Sequence, residues 1–333
     1  MSTPKISVIV PCHNARNTIQ TCVKSILACS YPHFECIVVD DVSTDDSCEL
    51  LKNLNCRIIR LPSNAGPGAS RNAGAREASG RILVFTDADC RVEPEWLNRI
   101  ISSLTDGTAA VSAGYHKSQN RETFALFQFY DTLFRQRNTP DFIDICISAN
   151  FGCTKKAFDE SGGFLPAFFG EDTALGLAIS RKHKIKWDKN NGVAHYFNTS
   201  LNKYFAKHIQ WMAGLVPIAW AQKDFLKRKA TWSNHEIAGN LLLMAGFYLS
   251  VLLILVNPAC WAFPVLLMAL YGIVNAPFLN FIARYENYKT ALGLFLFMPM
   301  RDTAWLLGLC LGAGRLLFKK CNLRMKPFAL TDN

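Results

Sequence analysis

Short apolar runs alternate with longer mixed segments along the first hundred residues. Ile6-Ser7-Val8-Ile9-Val10, Phe34-Glu35-Cys36-Ile37-Val38-Val39, Arg57-Ile58-Ile59-Arg60-Leu61 and Ile82-Leu83-Val84-Phe85-Thr86 are rich in β-branched and aromatic side chains. That is the pattern of strands buried on both faces. The segments between them carry helix signals. Asn17 or Thr18 can cap a helix running to about Cys29, which Pro32 ends. Ser43, Thr44 and Asp45 can cap one over roughly Asp46 to Leu54, and the turn Asn64 to Gly68 leads into one holding Ala69 to Ala78. Strand and helix thus alternate with short links, which predicts a parallel sheet wrapped by helices. Farther on, Ala109 to Ala113 reads as a strand, Thr123 to Arg137 as an amphipathic helix, and Lys155 to Glu160 as a short helix. Gly170-Glu171-Asp172 opens a helix over Thr173 to Lys182, and Val193 to Phe197 reads as a strand.

The pattern changes beyond residue 235. From Ile237 to Ala283 there is no Asp, Glu, Lys or Arg, which is room for two membrane spans of roughly 20 residues each. Leu241 to Val256 is the first, Asn257-Pro258 the turn, and Trp261 to Ile282 the return. Lys223, Lys227, Arg228 and Lys229 before the pair, and Arg284 and Lys289 after it, mark the cytoplasmic side. Ala291 to Phe318 is apolar again, but Pro299, Arg301 and Asp302 interrupt it. A plain third span would put Lys319, Lys320, Arg324 and Lys326 on the far side. The expectation is therefore a re-entrant or interfacial hairpin of Ala291 to Met298 and Thr303 to Phe318, with the plain span as the alternative.

Composition narrows the class. At 333 residues with 50% hydrophobic positions, one large or two ordinary domains are expected. The net charge of +10 (36 basic against 26 acidic residues) suits anionic ligands or an anionic membrane surface. The basic residues are not gathered into an arm with interleaved aromatics, so nucleic acid is disfavoured as a partner. Twelve scattered cysteines with no C-x-x-C pair read as reduced, mostly buried thiols of a cytosolic domain. Met1 to Lys5 lacks the long apolar run of a signal peptide, and the first domain is expected to stay in the cytoplasm.

Candidate chemistry gathers at the predicted strand ends. Asp87 and Asp89 follow the fourth strand one residue apart, and in an extended chain such residues point the same way. Two hard oxygen ligands beyond the end of a buried strand suit a divalent cation that also holds a diphosphate. Asp40 and Asp41 follow the second strand, where a carboxylate can accept the N3–H of a uracil-type base, and one of the pair is expected to cap the turn. The loop Pro11-Cys12-His13-Asn14 can hold a ribose with its backbone. Arg71, after the Gly66/Gly68 turn, can place a fixed positive charge near phosphates. There is no G-x-G-x-x-G and no G-x-x-x-x-G-K-[ST], so dinucleotide binding and P-loop phosphoryl transfer are excluded.

Ile6 to Asn14 (ISVIVPCHN), Val38 to Asp45 (VVDDVSTD), Asn64 to Gly74 (NAGPGASRNAG) and Phe85 to Asp89 (FTDAD) resemble, in order and spacing, the nucleotide-binding half of the family 2 glycosyltransferases. The resemblance covers roughly residues 5 to 215. Val42 departs from it, since the family usually has Gly there. The resemblance implies a GT-A fold, a mixed sheet wrapped by helices, here followed by a helical membrane region. It implies a metal-dependent, inverting transfer of a sugar from a nucleotide-sugar, a UDP-sugar being the expected donor. Ser148-Ala149-Asn150-Phe151 resembles the acceptor-side strand. By resemblance Asp172 is the base and Glu171 its neighbour in the acceptor site. Nucleotide-sugar contacts fall on Pro11, His13, Asn14, Asp40, Asp41, Arg71, Asp87 and Ala88. The metal, Mn²⁺ or Mg²⁺, falls on Asp87, Asp89 and His195. Gln210-Trp211 only partly matches the Q-x-x-R-W motif of processive relatives, which favours single-sugar transfer.

The expected organisation is a nucleotide-sugar half at 1–110, an acceptor half at 111–235, membrane helices at 236–320 and a cytoplasmic tail at 321–333. An attached membrane part makes a lipid-linked or polysaccharide acceptor at the inner membrane the expectation. A polyprenyl-phosphate acceptor, already ionised, would need no base. A nucleotidyltransferase would need a Gly-rich, basic loop where Pro11 to Asn14 stands. A nucleotide-sensing membrane scaffold would need no Asp172.

Overall fold

The structure, a computed structural model, describes residues 4–104, 108–165, 169–222, 224–231 and 234–322. The expected tail from residue 323 on, with Arg324 and Lys326, lies outside the described residues, as does Lys223, while Cys321 and Asn322 end the last helix. The chain divides into two compact units. One is formed by residues 1–121, 135–197 and 228–232, the other by 122–134, 198–227 and 233–333.

The first unit begins β1 (Ile6–Cys12), α1 (Ile19–Leu27), β2 (Phe34–Asp40), β3 (Arg57–Arg60), α2 (Gly66–Glu77), β4 (Ile82–Thr86), β5 (Cys90–Arg91) and α3 (Trp96–Ser103). It continues through β6 (Thr108–Ser112), β7 (Tyr115–Ser118), the end of α4 (Thr123–Gln136), β8 (Phe142–Ile143), β9 (Asn150–Thr154), α5 (Lys155–Glu160), α6 (Glu171–Ser180), β10 (Lys184–Trp187) and β11 (Val193–His195). Eight strands form one sheet in the order β3-β2-β1-β4-β9-β6-β10-β8. β1 pairs in parallel with β2 and β4, while β9 runs antiparallel between β4 and β6. The sheet is therefore mixed. A small second sheet, β5-β11-β7, starts directly after Asp89.

The core lies on both faces of β1 and β4, as their continuous apolar runs require. Val8, Val10 and Val84 pack with Cys22, Ile26 and Trp96 on one side. Ile9, Leu83 and Phe85 pack with Phe151, Phe158 and Phe164 on the other. None of the described cysteines is in a disulfide, and most are buried.

Several boundaries differ from expectation for identifiable reasons. β1 runs on through Pro11 and Cys12, because β4 pairs with it only up to Ile9 and Pro11's missing N–H costs no ladder bond on that side. The helix expected over Asp46 to Leu54 is only a 3₁₀ turn at Glu49–Leu51. The Asp45 carboxylate there accepts hydrogen bonds from the Ser47 N–H (3.0 Å) and the Arg16 N–H (3.2 Å), local bonds that compete with a helix. α2 starts three residues early, at Gly66. Its first N–H groups find an acceptor in Asp41: Ala65 N–H donates to Oδ1 at 2.7 Å and Gly66 N–H to Oδ2 at 2.8 Å.

The second unit is helical. It holds the start of α4, then α7 (Leu201–Ala221), α8 (Asn234–Val256), α9 (Ala262–Val274), α10 (Ala276–Ala283), α11 (Tyr288–Phe295) and α12 (Met298–Asn322). Two helical runs are long and apolar enough to cross a membrane, Glu236–Val256 (21 residues) and Tyr288–Phe318 (31 residues). The run from Pro258 to Ala283, bent by 45° after Val274, makes a third if the bent pair is one span. Large side chains such as Leu255 (82%) and Val256 (84%) are exposed, as lipid-facing positions would be.

The hairpin expected of Ala291 to Phe318 is not what forms. Leu296 and Phe297 only briefly interrupt one long helical run. Pro299 sits in the first turn of α12, where its missing N–H is tolerated. Arg301 and Asp302 are buried, not surface breakers. Arg301 pairs with Asp131 of α4 and with Asp302 at 2.7 Å, and the Tyr271 hydroxyl donates to Asp302. Close packing of α12 on α7 needs small residues. A Cβ on Gly308 would come within 2.5 Å of the Ile209 carbonyl oxygen, and one on Gly312 within 2.6 Å of Val216.

Val42 has φ +60°, a left-handed conformation that strains a β-branched residue. A Val42→Gly variant should gain roughly 1 kcal/mol in unfolding free energy. Chemical denaturation of the two proteins measures it, and an unchanged or lowered midpoint counts against strain at this turn.

Candidate active site

The ends of β1, β2 and β4 open onto one edge of the sheet, and the polar groups found there are tightly tied. After β2, the buried Asp40 accepts a hydrogen bond from Ser43 N–H (3.0 Å), closing the turn, with Arg60 Nε 3.8 Å from its other oxygen. Asp41 spends both oxygens on the start of α2. Both members of the acidic pair therefore act as caps, where only one was expected to. After β1, His13 Nδ1 lies 2.8 Å from the Asp41 carbonyl oxygen. Asn14, at φ +50°, accepts from Thr44 N–H (2.8 Å) and Asp45 N–H (3.3 Å). The two loops are thus sewn together, while the side chains of His13 and Asn14 remain exposed. Pro11 is half-buried inside β1.

Arg71 is the centre of the site. It rises from α2, is 3% exposed, and donates from Nη2 to Asp87 Oδ1 at 2.7 Å and from Nη1 to Glu171 Oε1 at 3.1 Å. Its guanidinium lies 5.2 Å from the Phe164 ring centroid. These two carboxylates come from different elements, β4's end and the first turn of α6. Gly68 permits the approach: a Cβ there would lie 3.0 Å from the Leu165 carbonyl oxygen and 3.2 Å from Glu171 Cγ. Gly170 turns into α6 at φ +84° and leaves Glu171 and Asp172 in its first turn. Carboxylates are favoured there by the helix dipole.

Asp172 is partly exposed and accepts from Thr173 N–H at 2.7 Å. Burial raises its proton affinity, against the pull of Arg71. Burial, and then the charge of Asp172, push Glu171 up to about 7, again opposed by Arg71. The two carboxyl groups therefore hold a proton to an unusually high pH.

Asp87 and Asp89 do not lie on an extended strand. The chain turns between them, with Cys90 N–H donating to the Asp87 carbonyl at 3.0 Å, so the same-side rule for residues i and i+2 does not apply. Asp87 faces Arg71, whereas Asp89 lies beside His195, Oδ1 to Nε2 3.3 Å. Ala88 between them is buried in the core. One carboxylate oxygen of Asp89, one nitrogen of His195 and the Cys90 sulfur all lie within 4.8 Å of one another. His195 Nδ1 is buried with no hydrogen-bond partner among the described residues. A carboxylate beside an imidazole with an unused nitrogen, near a second carboxylate, is a donor set that fits Mn²⁺. Cys90, buried with its proton affinity raised by burial, fits poorly as a ligand.

Two residues near this site were not marked in the sequence. Gln119 Nε2 donates to the carbonyl oxygens of Asp89 and Ala194, both at 3.0 Å, and its N–H donates to the His195 carbonyl. It clamps the backbone of both candidate ligands. Tyr115 at the start of β7 packs against His195 with the rings tilted, centroids 4.6 Å apart. Asn150, part of the segment read as acceptor-side strand, accepts from Trp96 Nε1 (2.9 Å) and donates to the carbonyls of Gly114 (3.2 Å) and Asn191 (2.7 Å). It holds the corner between the two sheets. The only signal in sequence was a polar strand, Tyr115 to Gln119, where a core strand would be apolar.

The model of the family described as "Glycosyl transferase family 2" matches residues 7–162. TuaG of Bacillus subtilis (strain 168), named for teichuronic acid biosynthesis, is 34% identical over 250 residues, 71% of this chain and 96% of TuaG. The chain is a family 2 glycosyltransferase. The family's similarity to other members is more local. GlyA of Streptococcus pneumoniae is 34% identical over 130 residues, which is 18% of its length. The succinoglycan biosynthesis protein ExoO of Rhizobium meliloti is 31% identical over 166 residues, 48% of its length. The chain thus spans under half of those two relatives. Among solved structures, the mannosyltransferase PcManGT of Pyrobaculum calidifontis, in complex with GDP-Man and Mn²⁺, superposes with TM-score 0.60 at 18% identity. That match covers 96% of this chain and 88% of that one. The mixed sheet is thus the GT-A fold, carried by a glycosyltransferase that also holds apolar helices.

Substituting the clamp while sparing the ligands tests the metal site. Gln119→Leu should weaken Mn²⁺ binding about tenfold with the circular dichroism spectrum unchanged. Mn²⁺ affinity equal to wild type would remove Gln119 from that role.

Proposed function

We propose that this family 2 glycosyltransferase moves a sugar from a nucleotide-sugar, with inversion at the anomeric carbon, to a lipid-linked or polysaccharide acceptor at the inner membrane. The observation that carries the reading is the meeting of Asp87, Arg71, Glu171 and Asp172, from three separate elements, at the ligand-binding edge of the sheet. The roles follow from the chemistry. Asp87, Asp89 and His195 would hold a divalent cation, which supplies positive charge to the departing diphosphate. PcManGT, which shares the fold, is in keeping with that. Pro11, His13 and Asn14 would line the nucleotide end, with the Asp40 carboxylate facing the base of a UDP-sugar, while Asp41, which spends both oxygens on α2, and the core residue Ala88 would take part only through their backbone. Arg71 holds Asp87 in place and keeps Glu171 beside the acceptor. Asp172 takes the proton of the attacking hydroxyl on the face opposite the leaving group. The 1–110 and 111–235 segments would then be the donor and acceptor halves, and the apolar helices keep the enzyme with a lipid-borne acceptor, its catalytic part in the cytoplasm. TuaG and ExoO, named for polysaccharide biosynthesis, favour such an acceptor.

Calorimetric titration with UDP, dTDP and GDP, with and without Mn²⁺, beside Asp89→Ala, tests the donor site. Binding of one nucleotide only with Mn²⁺, abolished in the variant, is expected. No binding of any nucleotide by folded protein would leave a non-catalytic scaffold as the better description.

The base is tested by pH. Asp172→Asn should lower kcat roughly 10²- to 10⁴-fold. A small loss instead would point to an ionised polyprenyl-phosphate acceptor. A base works only when deprotonated, so kcat should fall as pH drops through a pKa raised above the ordinary carboxylate range. Glu171→Gln removes the like charge beside Asp172, and the acid limb should move to lower pH. A limb that stays in place argues against coupling of the two.

A further inference from the structure

We propose that Asp89, Cys90 and His195 form a second, thiolate-containing mode of cation binding, which selects Zn²⁺ over Mn²⁺ and Mg²⁺ and keeps the catalytic ion out. The binding mode stands on the geometry of the small sheet; only its bearing on catalysis rests on the glycosyl-transfer reading above. Cys90 and His195 are directly opposite each other in the antiparallel pair β5 and β11, with Arg91 opposite Ala194. Residues so paired carry their side chains on the same face of the sheet, with Cβ atoms about 5 Å apart. Strand register, not a loop, therefore brings the sulfur and the imidazole together. Asp89 precedes β5, and one of its oxygens reaches both: Oδ1 lies 3.9 Å from Cys90 Sγ and 3.3 Å from His195 Nε2. A carboxylate oxygen, a sulfur and a ring nitrogen thus gather within 4.8 Å of one another.

These spacings suit one face of a zinc tetrahedron. Ordinary zinc bond lengths give an oxygen–nitrogen edge of about 3.4 Å and an oxygen–sulfur edge of about 3.6 Å. The observed 3.3 Å meets the first, and a small rotation of the Asp89 carboxylate brings the observed 3.9 Å to the second. The Asp89 side chain is two-fifths exposed, so the ion enters from its side. Gln119 holds the backbone of Asp89 and Ala194, and Tyr115 packs against the imidazole, so the ligands are fixed before the ion arrives. Ligand softness decides which ion takes the sulfur. Mn²⁺ and Mg²⁺ favour carboxylate and imidazole, and a thiol adds little for them. Zn²⁺ is softer and recruits Cys90 as a third protein ligand, the thiol proton passing to the buffer as the bond to sulfur forms. Asp89 and His195 belong to both sets, so the two ions exclude each other.

Co²⁺ replaces zinc in tetrahedral sites and absorbs in the near ultraviolet when bound to a thiolate. Metal-free, full-length protein in detergent, titrated with Co²⁺, should develop that band, saturate at a single equivalent and lose the band to Zn²⁺. In Cys90→Ser the band should vanish and calorimetric Zn²⁺ affinity should fall at least about tenfold, with Mn²⁺ affinity and thermal midpoint unchanged. Wild-type protein loaded with Zn²⁺ should no longer bind Mn²⁺. No band in wild type, a band that survives in Cys90→Ser, equal weakening of Zn²⁺ and Mn²⁺, or Mn²⁺ binding beside zinc overturns the proposal. X-ray absorption at the zinc edge needs no variant: a single sulfur neighbour at about 2.3 Å is expected, and none, or more than one, overturns it equally. Protein that shows the band but binds no nucleotide in Mn²⁺ defeats the glycosyl-transfer reading and leaves this binding mode standing. Mn²⁺-dependent nucleotide binding without the band defeats this inference alone.

Discussion

One buried cation organises the catalytic unit. Arg71 is almost wholly removed from water, and a guanidinium so placed is tolerated only if its charge is met by well-aligned carboxylates. Asp87 and Glu171 meet it, and the face of Phe164 covers it. These partners lie at the end of a central strand, at the start of a helix a hundred residues away, and in the segment before that helix. Satisfying Arg71 therefore joins the first part of the sheet to the chain that follows β9. The same bonds leave Asp172 at the opening of the site, because it follows Glu171 on a helix whose first turn is held in place.

The tight link between α2 and the loops beside it serves the same end. Asp41 gives α2 its start, Asp40 closes the turn before it, and Asn14 ties the β1 loop to the β2 loop. Arg71 stands on the second turn of α2, so its position is set by where that helix begins. The left-handed Val42 is what this arrangement costs. The turn must double back so that consecutive carboxylates can face two different sets of N–H groups, and only a positive φ brings it round.

Much of this was legible in sequence, and most of the failures share a cause. The order of strands through β4, the helices α1 and α2 between them, and the short helix α5 follow from apolar runs and turn signals. The resemblance to the family added the roles. Local rules failed where a distant side chain supplied the deciding bond. α2 begins early because Asp41 is there; the helix after Asp45 is the exception, lost to the local bond between Asp45 and Ser47. Arg301 and Asp302 looked like a break in an apolar run because their partners, Asp131 and Tyr271, lie 170 and 31 residues away. Gln119 and Tyr115 were invisible for the same reason: neither stands in a motif, and each matters through β11.

The balance of charge at the site favours the proposed divalent cation. Asp87, Glu171 and Asp172 gather around a single buried cation, Arg71, with Asp89 two residues beyond Asp87. Burial works against the excess by raising the proton affinity of both Glu171 and Asp172. Asp87 is paired with Arg71, while Asp89, two-fifths exposed, lies beside the imidazole of His195. A diphosphate approaching this edge meets net negative charge, and its repulsion from these carboxylates is large at short range and weakly screened where water is excluded. A divalent cation reverses that sign in one step. On the proposed reading, the chain's own contribution would be to hold the carboxylates and imidazole ready, through Gln119 and Arg71, so that little reorganisation would remain when charge develops on the leaving group.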